Sequence, residues 1–295
     1  MGTLVLSMPG QEALGQGLAR ALEAAHAAID AHRFPDGESL VRLMADVAGQ
    51  DVVLACSLAR PDAVTLPLIF AADAARELGA RRVILVAPYL AYMRQDHRFR
   101  PGEAVTSRSY ARLLSSSFDT LVTVDPHLHR WHSLDQIYSL RSIVVPAAPA
   151  IARWVKEHVR DPLIVGPDEE SAQWAAEVAR LAGAPHTVMT KTRRGDCDVS
   201  VVMDTATLSI ERTPVLVDDI ISTGHTLMAA AGALGEAGLA APLCVGVHAL
   251  FDEGAHQKML QSGIAQVVSC DTIVHSTNGI PLEGDLGQAV AMALG

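Results

Sequence analysis

Aromatic residues are scarce, with Phe, Trp and Tyr making up 4% of the 295 positions. Basic charge is also in deficit: Lys plus Arg number 23 against 33 for Asp plus Glu, a formal net charge of −10. A chain this acidic, with no basic aromatic surface, has no general pull toward nucleic acid or an anionic membrane. Any phosphate chemistry must therefore come from local basic clusters. The four cysteines, Cys56, Cys197, Cys244 and Cys270, are far apart and show no Cys-x-x-Cys spacing. Neither a zinc site nor a disulfide framework follows from them. No uninterrupted apolar stretch approaches the roughly 18 residues that suggest a membrane span. The start, Met-Gly-Thr-Leu-Val-Leu-Ser, has no basic region or cleavage site of a secretory signal. It also carries Leu6 where a myristoylation motif needs Ser or Thr. The expectation is a soluble cytoplasmic protein without a membrane partner.

What the chain does contain is apolar material, 49% of its residues, enough to exclude a disordered chain. Its length suits two domains of about 150 residues each. Short aliphatic runs alternate with helical patterns. Strands are expected at Leu4–Ser7, Asp51–Ser57, Arg82–Pro88 and Thr120–Asp125 in the first half. The second half offers Pro162–Gly166, His186–Thr190, Val199–Asp204, Pro214–Asp218, Pro242–Ala249 and Gln266–Ser269. Several are continuously apolar, as strands covered on both faces should be. Helices are expected over Asp62–Gly79, Asp168–Gly183 and Gly224–Gly238, with Asp62 and Asp168 as N-caps and the glycines as stops. Repeated strand–helix–strand units predict an α/β fold with mainly parallel sheets.

Pro146 and Pro149 mark the best boundary, giving domains over 1–143 and 144–295. Two polar stretches, Ala91–Thr106 and Thr190–Val199, interrupt the regular pattern. Each follows a strand, where open α/β sheets bind ligands.

The strongest signal is Val215-Leu-Val-Asp-Asp-Ile-Ile-Ser-Thr-Gly-His-Thr-Leu227. An aliphatic strand ends in two carboxylates, then a Ser/Thr/Gly turn leads into a helix. Backbone N–H groups of 222–226 can close around a phosphate at the helix N-terminus. Ser222, Thr223 and Thr226 add hydroxyls, and Asp218 and Asp219 can accept from vicinal ribose hydroxyls. An ordinary capped helix is the structural alternative, but two adjacent acids ending an apolar strand are costly without a ligand.

This segment resembles the phosphoribosyl pyrophosphate (PRPP) motif of type I phosphoribosyltransferases and of ribose-phosphate pyrophosphokinases. Further segments occur in the order of the latter family: Arg33-Phe-Pro-Asp-Gly-Glu38, Tyr92-Met-Arg-Gln-Asp96, Val124-Asp-Pro-His127, Gly166-Pro-Asp168, Lys191-Thr-Arg193, His248-Ala-Leu-Phe251 and Asp271-Thr-Ile273. The resemblance covers nearly the whole chain. It implies two tandem phosphoribosyltransferase-like domains that move the diphosphoryl group of ATP onto ribose 5-phosphate, supplying nucleotide biosynthesis.

The same resemblance implies roles residue by residue. Lys191 and Arg193 belong to the catalytic loop. Phe34, Asp36, Glu38, Arg94, Gln95 and Asp96 hold ATP, partly across a subunit boundary, so a homo-oligomer of at least two chains is expected. Asp218, Asp219, Ser222, Thr223, Gly224 and Thr226 hold ribose 5-phosphate. His127 and Asp168 are associated with Mg2+, which normally keeps water and bridges phosphate oxygens. The alternating histidines around His127, namely His129 and His132, lack nearby cysteine ligands and receive no role.

Two departures stand out. His225 replaces the small residue frequent in the phosphate turn. Lys191-Thr-Arg differs from the Lys-Arg-Arg form frequent among bacterial enzymes. Both the loop and the chain length are closer to the shorter archaeal branch. A PRPP-using phosphoribosyltransferase would share only the Asp218–Thr226 motif. A non-catalytic regulatory homologue would be expected to have lost Lys191, Arg193 or the paired acids.

Overall fold

The computed structural model describes residues 2–128, 130–194, 198–202, 211–252 and 254–295. They form two compact units, Met1–Val145 together with Glu283–Gly295, and Pro146–Leu282.

The first unit contains β1 (Thr3–Ser7), α1 (Glu12–Leu22), β2 (Ala25–Arg33), β3 (Ser39–Leu43), β4 (Asp51–Ala55), α2 (Pro61–Glu77), β5 (Arg82–Ala87), α3 (Thr106–Ser117), β6 (Thr120–Val124) and β7 (Arg141–Val145). Its sheet runs β3-β2-β1-β4-β5-β6-β7. Every pairing is parallel except the β2–β3 hairpin. Every residue of β4 and β6 is buried, which is why Val and Leu dominate both strands.

The second unit contains α4 (Ala148–His158), β8 (Pro162–Gly166), α5 (Ala172–Ala182), β9 (His186–Val188), β10 (Thr190–Arg194), β11 (Asp198–Val202), β12 (Thr213–Ile221), α6 (His225–Glu236), β13 (Leu243–Ala249), α7 (Ala255–Gln261), β14 (Gln266–Cys270) and β15 (Asn278–Ile280). Its sheet, β15-β14-β13-β12-β8-β9, is wholly parallel, and β10 and β11 form a separate antiparallel ribbon. The expected architecture, two α/β domains with mainly parallel sheets, is the one observed.

Several local features differ from the sequence reading. The last helix, α8 (Glu283–Leu294), falls in the first unit rather than with residues 144–282. Side chains of that unit hold its C-terminus. Arg82 donates to the carbonyls of Ala293 and Leu294, and Arg141 to those of Met292 and Ala293. Such donors satisfy carbonyls that a helix end leaves unpaired.

Asp62 does not cap α2. Arg60 occupies the N-cap position, Pro61 is the first helical residue, and the Asp62 carboxylate instead accepts from the Tyr92 hydroxyl. Asp168 caps not α5 directly but a 3-10 turn, Glu169–Ser171, that leads into it. Its carboxylate accepts from the Ser171 N–H at 3.2 Å while the Ser171 hydroxyl returns to the Asp168 backbone. Gly79, Gly183 and Gly238 stand with positive φ just past α2, α5 and α6, as stop positions require. The stretch 190–199 is not all loop, since Thr190–Arg194 pairs with Asp198–Val202. Gly195, Cys197 and the expected strand end at 203–204 lie outside the described residues, as does His129.

Candidate active site

In both units the chemistry-bearing segments leave the carboxyl ends of parallel strands. In the second unit the chain crosses from β8 to β9 on one side and lays β12 on the other, so a crevice opens at the ends of β8 and β12. Ligands of open α/β sheets bind at such a switch point. Asp168 lies just beyond β8, and Asp218 and Asp219 lie in β12 itself, which continues to Ile221. The expected strand end at Asp218 is therefore three residues short.

The turn 222–224 then enters α6. Gly224 is buried with φ +72°, and a β-carbon there would meet Met259 Cγ and Sδ at 2.7 Å. Only glycine fits both the backbone conformation and the space. Among the described residues, the N–H groups of Thr223, Gly224, His225 and Thr226 show no protein acceptor, while the Ser222 carbonyl accepts from Asp252. These free donors at a helix N-terminus are what an anionic phosphate requires. His225 is the first residue of α6 and is exposed.

Burial, and then repulsion from the neighbouring Asp219 and Asp168 carboxylates, pushes Asp218 above the usual carboxylate range. Three acids gathered around one strand end favour either a shared proton, a donor hydroxyl or a cation. Among the described residues, no group of three or more His, Cys, Asp or Glu forms a metal cage by itself.

In the first unit, Phe34–Glu38 is the tip of the β2–β3 hairpin, a pairing the sequence reading did not anticipate. The Phe34 N–H donates to the Glu38 carbonyl at 2.8 Å, and Asp36 Oδ1 accepts from the Glu38 N–H at 3.1 Å. Phe34 is exposed, its ring edge-on to His32 at 4.9 Å. Asp36 and Glu38 are exposed as well. Arg94–Asp96 follows β5, and His127 follows β6, so all three segments leave the same edge of this sheet.

Arg94 is exposed. Gln95 Oε1 accepts from the Thr106 hydroxyl at 3.0 Å, and its carbonyl from the Ser107 N–H. The Asp96 carboxylate is approached by His97 Nδ1 at 2.6 Å and Arg130 Nε at 3.7 Å. Burial alone would raise Asp96, but His97 and Arg130 outweigh it and hold the carboxyl below its ordinary range. His127 sits in a tight turn in which its N–H donates to the Asp125 carbonyl, with Asp125 at φ +31°.

Lys191 and Arg193 occupy β10, in register with Val201 and Val199. Residues that sequence reasoning missed are Ser171, which locks the Asp168 turn, and Met259, which floors the turn before α6. The first had a signal in its capping spacing three residues after Asp168. The second had none.

A parallel sheet whose switch point carries a paired-acid strand and a phosphate-ready turn defines a phosphoribosyltransferase-type domain. The phosphoribosyl transferase domain model matches residues 142–283, and that for the N-terminal domain of ribose phosphate pyrophosphokinase matches residues 3–117. The chain belongs to the ribose-phosphate pyrophosphokinase family. It is 35% identical to the ribose-phosphate pyrophosphokinase of Methanopyrus kandleri, over 97% of this chain and 98% of that one. Identity to the Methanothermobacter thermautotrophicus protein of the same name is 30%, over 96% and 99%. The crystal structure of phosphoribosylpyrophosphate synthetase from Mycobacterium smegmatis shares the fold, with a TM-score of 0.84 at 23% identity, covering 100% of this chain and 99% of that one.

Proposed function

We propose that the chain transfers the β,γ-diphosphoryl group of ATP to the 1-hydroxyl of D-ribose 5-phosphate, giving PRPP and AMP. The observation that carries this reading is the second unit's switch-point site, in which Asp218 and Asp219 stand before the unpartnered N–H groups of 223–226. The sugar phosphate sits with its phosphate on that turn, aided by Ser222, Thr223 and Thr226. Asp218 and Asp219 accept from the ribose hydroxyls and orient the anomeric hydroxyl. ATP is held by Phe34, whose exposed ring stacks on the base, with Asp36 and Glu38 accepting from polar groups of the nucleotide. Arg94, Gln95 and Asp96 complete that side, Arg94 by binding phosphate oxygens through paired N–H groups.

The anomeric oxygen attacks the β-phosphorus, the bond from that phosphorus to the oxygen shared with the α-phosphate breaks, AMP leaves with that oxygen, and the hydroxyl proton passes to water. Such transfers depend on in-line placement and on neutralising spreading charge. Lys191 and Arg193 supply that charge. The Asp168 carboxylate is a hard oxygen ligand, which suits a divalent cation held chiefly by water and phosphates. His127 would hold Mg2+, with Asp168 at a second metal position; the ion would polarise the phosphoryl oxygens.

Among the described residues, no helix is long and apolar enough to cross a membrane. We place the enzyme in the cytoplasm, as a homo-oligomer of at least two chains. The test is AMP release from ATP with and without ribose 5-phosphate. Release that requires both substrates is expected. Release without the sugar phosphate, or none with both present, would overturn the assignment.

A further inference from the structure

Tyr92 stands at φ +63°, a region that bulky side chains occupy only when the surroundings hold them there. Its surroundings do. The Tyr92 hydroxyl donates to Asp62 in the first turn of α2. Its ring lies 4.7 Å from the ring of Tyr110, on α3. Tyr110 is itself buried, with its hydroxyl 3.0 Å from Thr65 Oγ1.

The Tyr92 carbonyl accepts from the Gln95 N–H at 3.3 Å, closing a four-residue turn over 92–95. The far end of the turn is fastened to α3, since Gln95 bonds Thr106 through its side chain and Ser107 through its carbonyl. Between these anchors Met93 is buried and Arg94 is exposed at the apex. The turn is thus clamped to α2 at one end and to α3 at the other; of its two exposed residues, Gln95 is tied to α3 by its side chain and Arg94 is the cation it presents.

We propose that Tyr92, tethered by Asp62, is a positioning residue that sets the place of Arg94. This rests on the reading of Arg94 as an ATP contact. Tyr92 touches neither substrate. It holds a strained backbone conformation in the turn, so that the backbone carrying Arg94 is already in place when ATP binds, and preorganisation of this kind appears as affinity.

The experiment measures KM for ATP, KM for ribose 5-phosphate and kcat in the intact enzyme carrying Tyr92→Phe, Asp62→Ala, Arg94→Ala or Tyr92→Phe/Arg94→Ala. Tyr92→Phe keeps the ring and loses only the tether. It should raise KM for ATP about five- to tenfold, the range expected for one hydrogen bond, and leave KM for ribose 5-phosphate unchanged. Asp62→Ala should reproduce the effect. In the Arg94→Ala background Tyr92→Phe should add nothing, because its only route is through that arginine.

Additive effects in the double variant would overturn the positioning role. So would equal losses for both substrates with a lowered unfolding temperature, which mark a merely structural tyrosine. An Arg94→Ala enzyme with normal KM for ATP would instead overturn the ATP assignment on which the inference rests, and the two failures are told apart by that variant alone.

Discussion

Gly224 and Met259 are packed so closely that a β-carbon on the glycine would sit 2.7 Å from both Cγ and Sδ of the methionine. The turn that leads into α6 therefore has a floor as well as a lining. Gly224→Ala forces a side chain into φ +72° and pushes against α7. The backbone term alone costs about 1 kcal/mol, and the overlap adds roughly as much again. We expect a lower unfolding temperature and a KM for ribose 5-phosphate raised at least about tenfold, since the shifted turn loses N–H contacts to the phosphate. Calorimetry and initial-rate kinetics on the one variant check both parts.

Asp219→Asn and Asp218→Asn/Asp219→Asn keep the size of the side chains and remove charge from the end of β12. Both should impair use of ribose 5-phosphate far more than binding of ATP, the double variant by about 100-fold or more in kcat/KM if two charged contacts to the sugar are lost. Unchanged ribose 5-phosphate kinetics in the double variant would remove these acids from the sugar site.

The β12 site was legible in the sequence because every part of it is local. An apolar strand, two acids, a Ser/Thr/Gly turn and a helix follow one another within thirteen residues, and folding only has to align them. The strands of the two sheets that read as aliphatic runs were equally plain. β2 was not, since Ala-His-Ala-Ala-Ile-Asp-Ala-His-Arg carries a single β-branched residue and draws its stability from pairing with β1 and β3. β10, Thr-Lys-Thr-Arg-Arg, is polar throughout and reads as loop. The return of α8 to the first unit depends on Arg82 and Arg141, which lie some 150 to 210 residues away in sequence, a distance over which pattern carries no signal. The Tyr92–Asp62 bond is hidden for a similar reason, because Asp62 looks like a helix cap until its partner from the loop after β5 is seen.

Asp51 is nearly fully buried and is shared by Arg81 and Arg82. Hydrogen bonds from Arg82 and then Arg81 hold its carboxyl far below the ordinary range, against the opposing effect of burial. A depressed folded-state value means that the unfolded chain takes up the proton first. The stability Asp51 contributes is thus present above about pH 4, the unfolded carboxylate value, and is lost as pH falls further toward the folded one. Asp51→Asn should lower the unfolding temperature by about 5 °C at pH 7, a modest figure because both guanidiniums are partly exposed. The gap from the parent should narrow when the melts are repeated at pH 3. A gap independent of pH would mean that Asp51 acts by shape rather than charge.

Removing the divalent cation with a chelator should abolish AMP release, and Mg2+ should restore it. Asp168→Asn keeps an oxygen that can accept from the Ser171 N–H, so the turn before α5 should survive while the charge is lost. The expected outcome is a raised Mg2+ concentration for half-maximal activity, by about tenfold, with unchanged unfolding temperature. A normal Mg2+ dependence would leave Asp168 as a turn residue only.

Lys191 and Arg193 are placed on β10 with Thr192 between them, in a two-stranded ribbon separate from the main sheet. A ribbon of two strands is marginal by itself, which suits a segment that closes over substrates and then reopens. Cations that meet the phosphates chiefly on closure stabilise the transferring charge more than the bound ground state. Lys191→Ala should accordingly lower kcat by roughly 10² or more, with KM for ATP and ribose 5-phosphate changed much less. Arg193→Ala should behave alike. Because both groups serve one event, the double variant should fall short of the product of the two defects. Unfolding temperatures close to the parent's would exclude the competing explanation that the substitutions disrupt the fold. A Lys191→Ala enzyme with normal kcat and a raised KM for ATP would make this lysine a binding contact that serves ground state and transition state equally, and the catalytic assignment would pass to other residues.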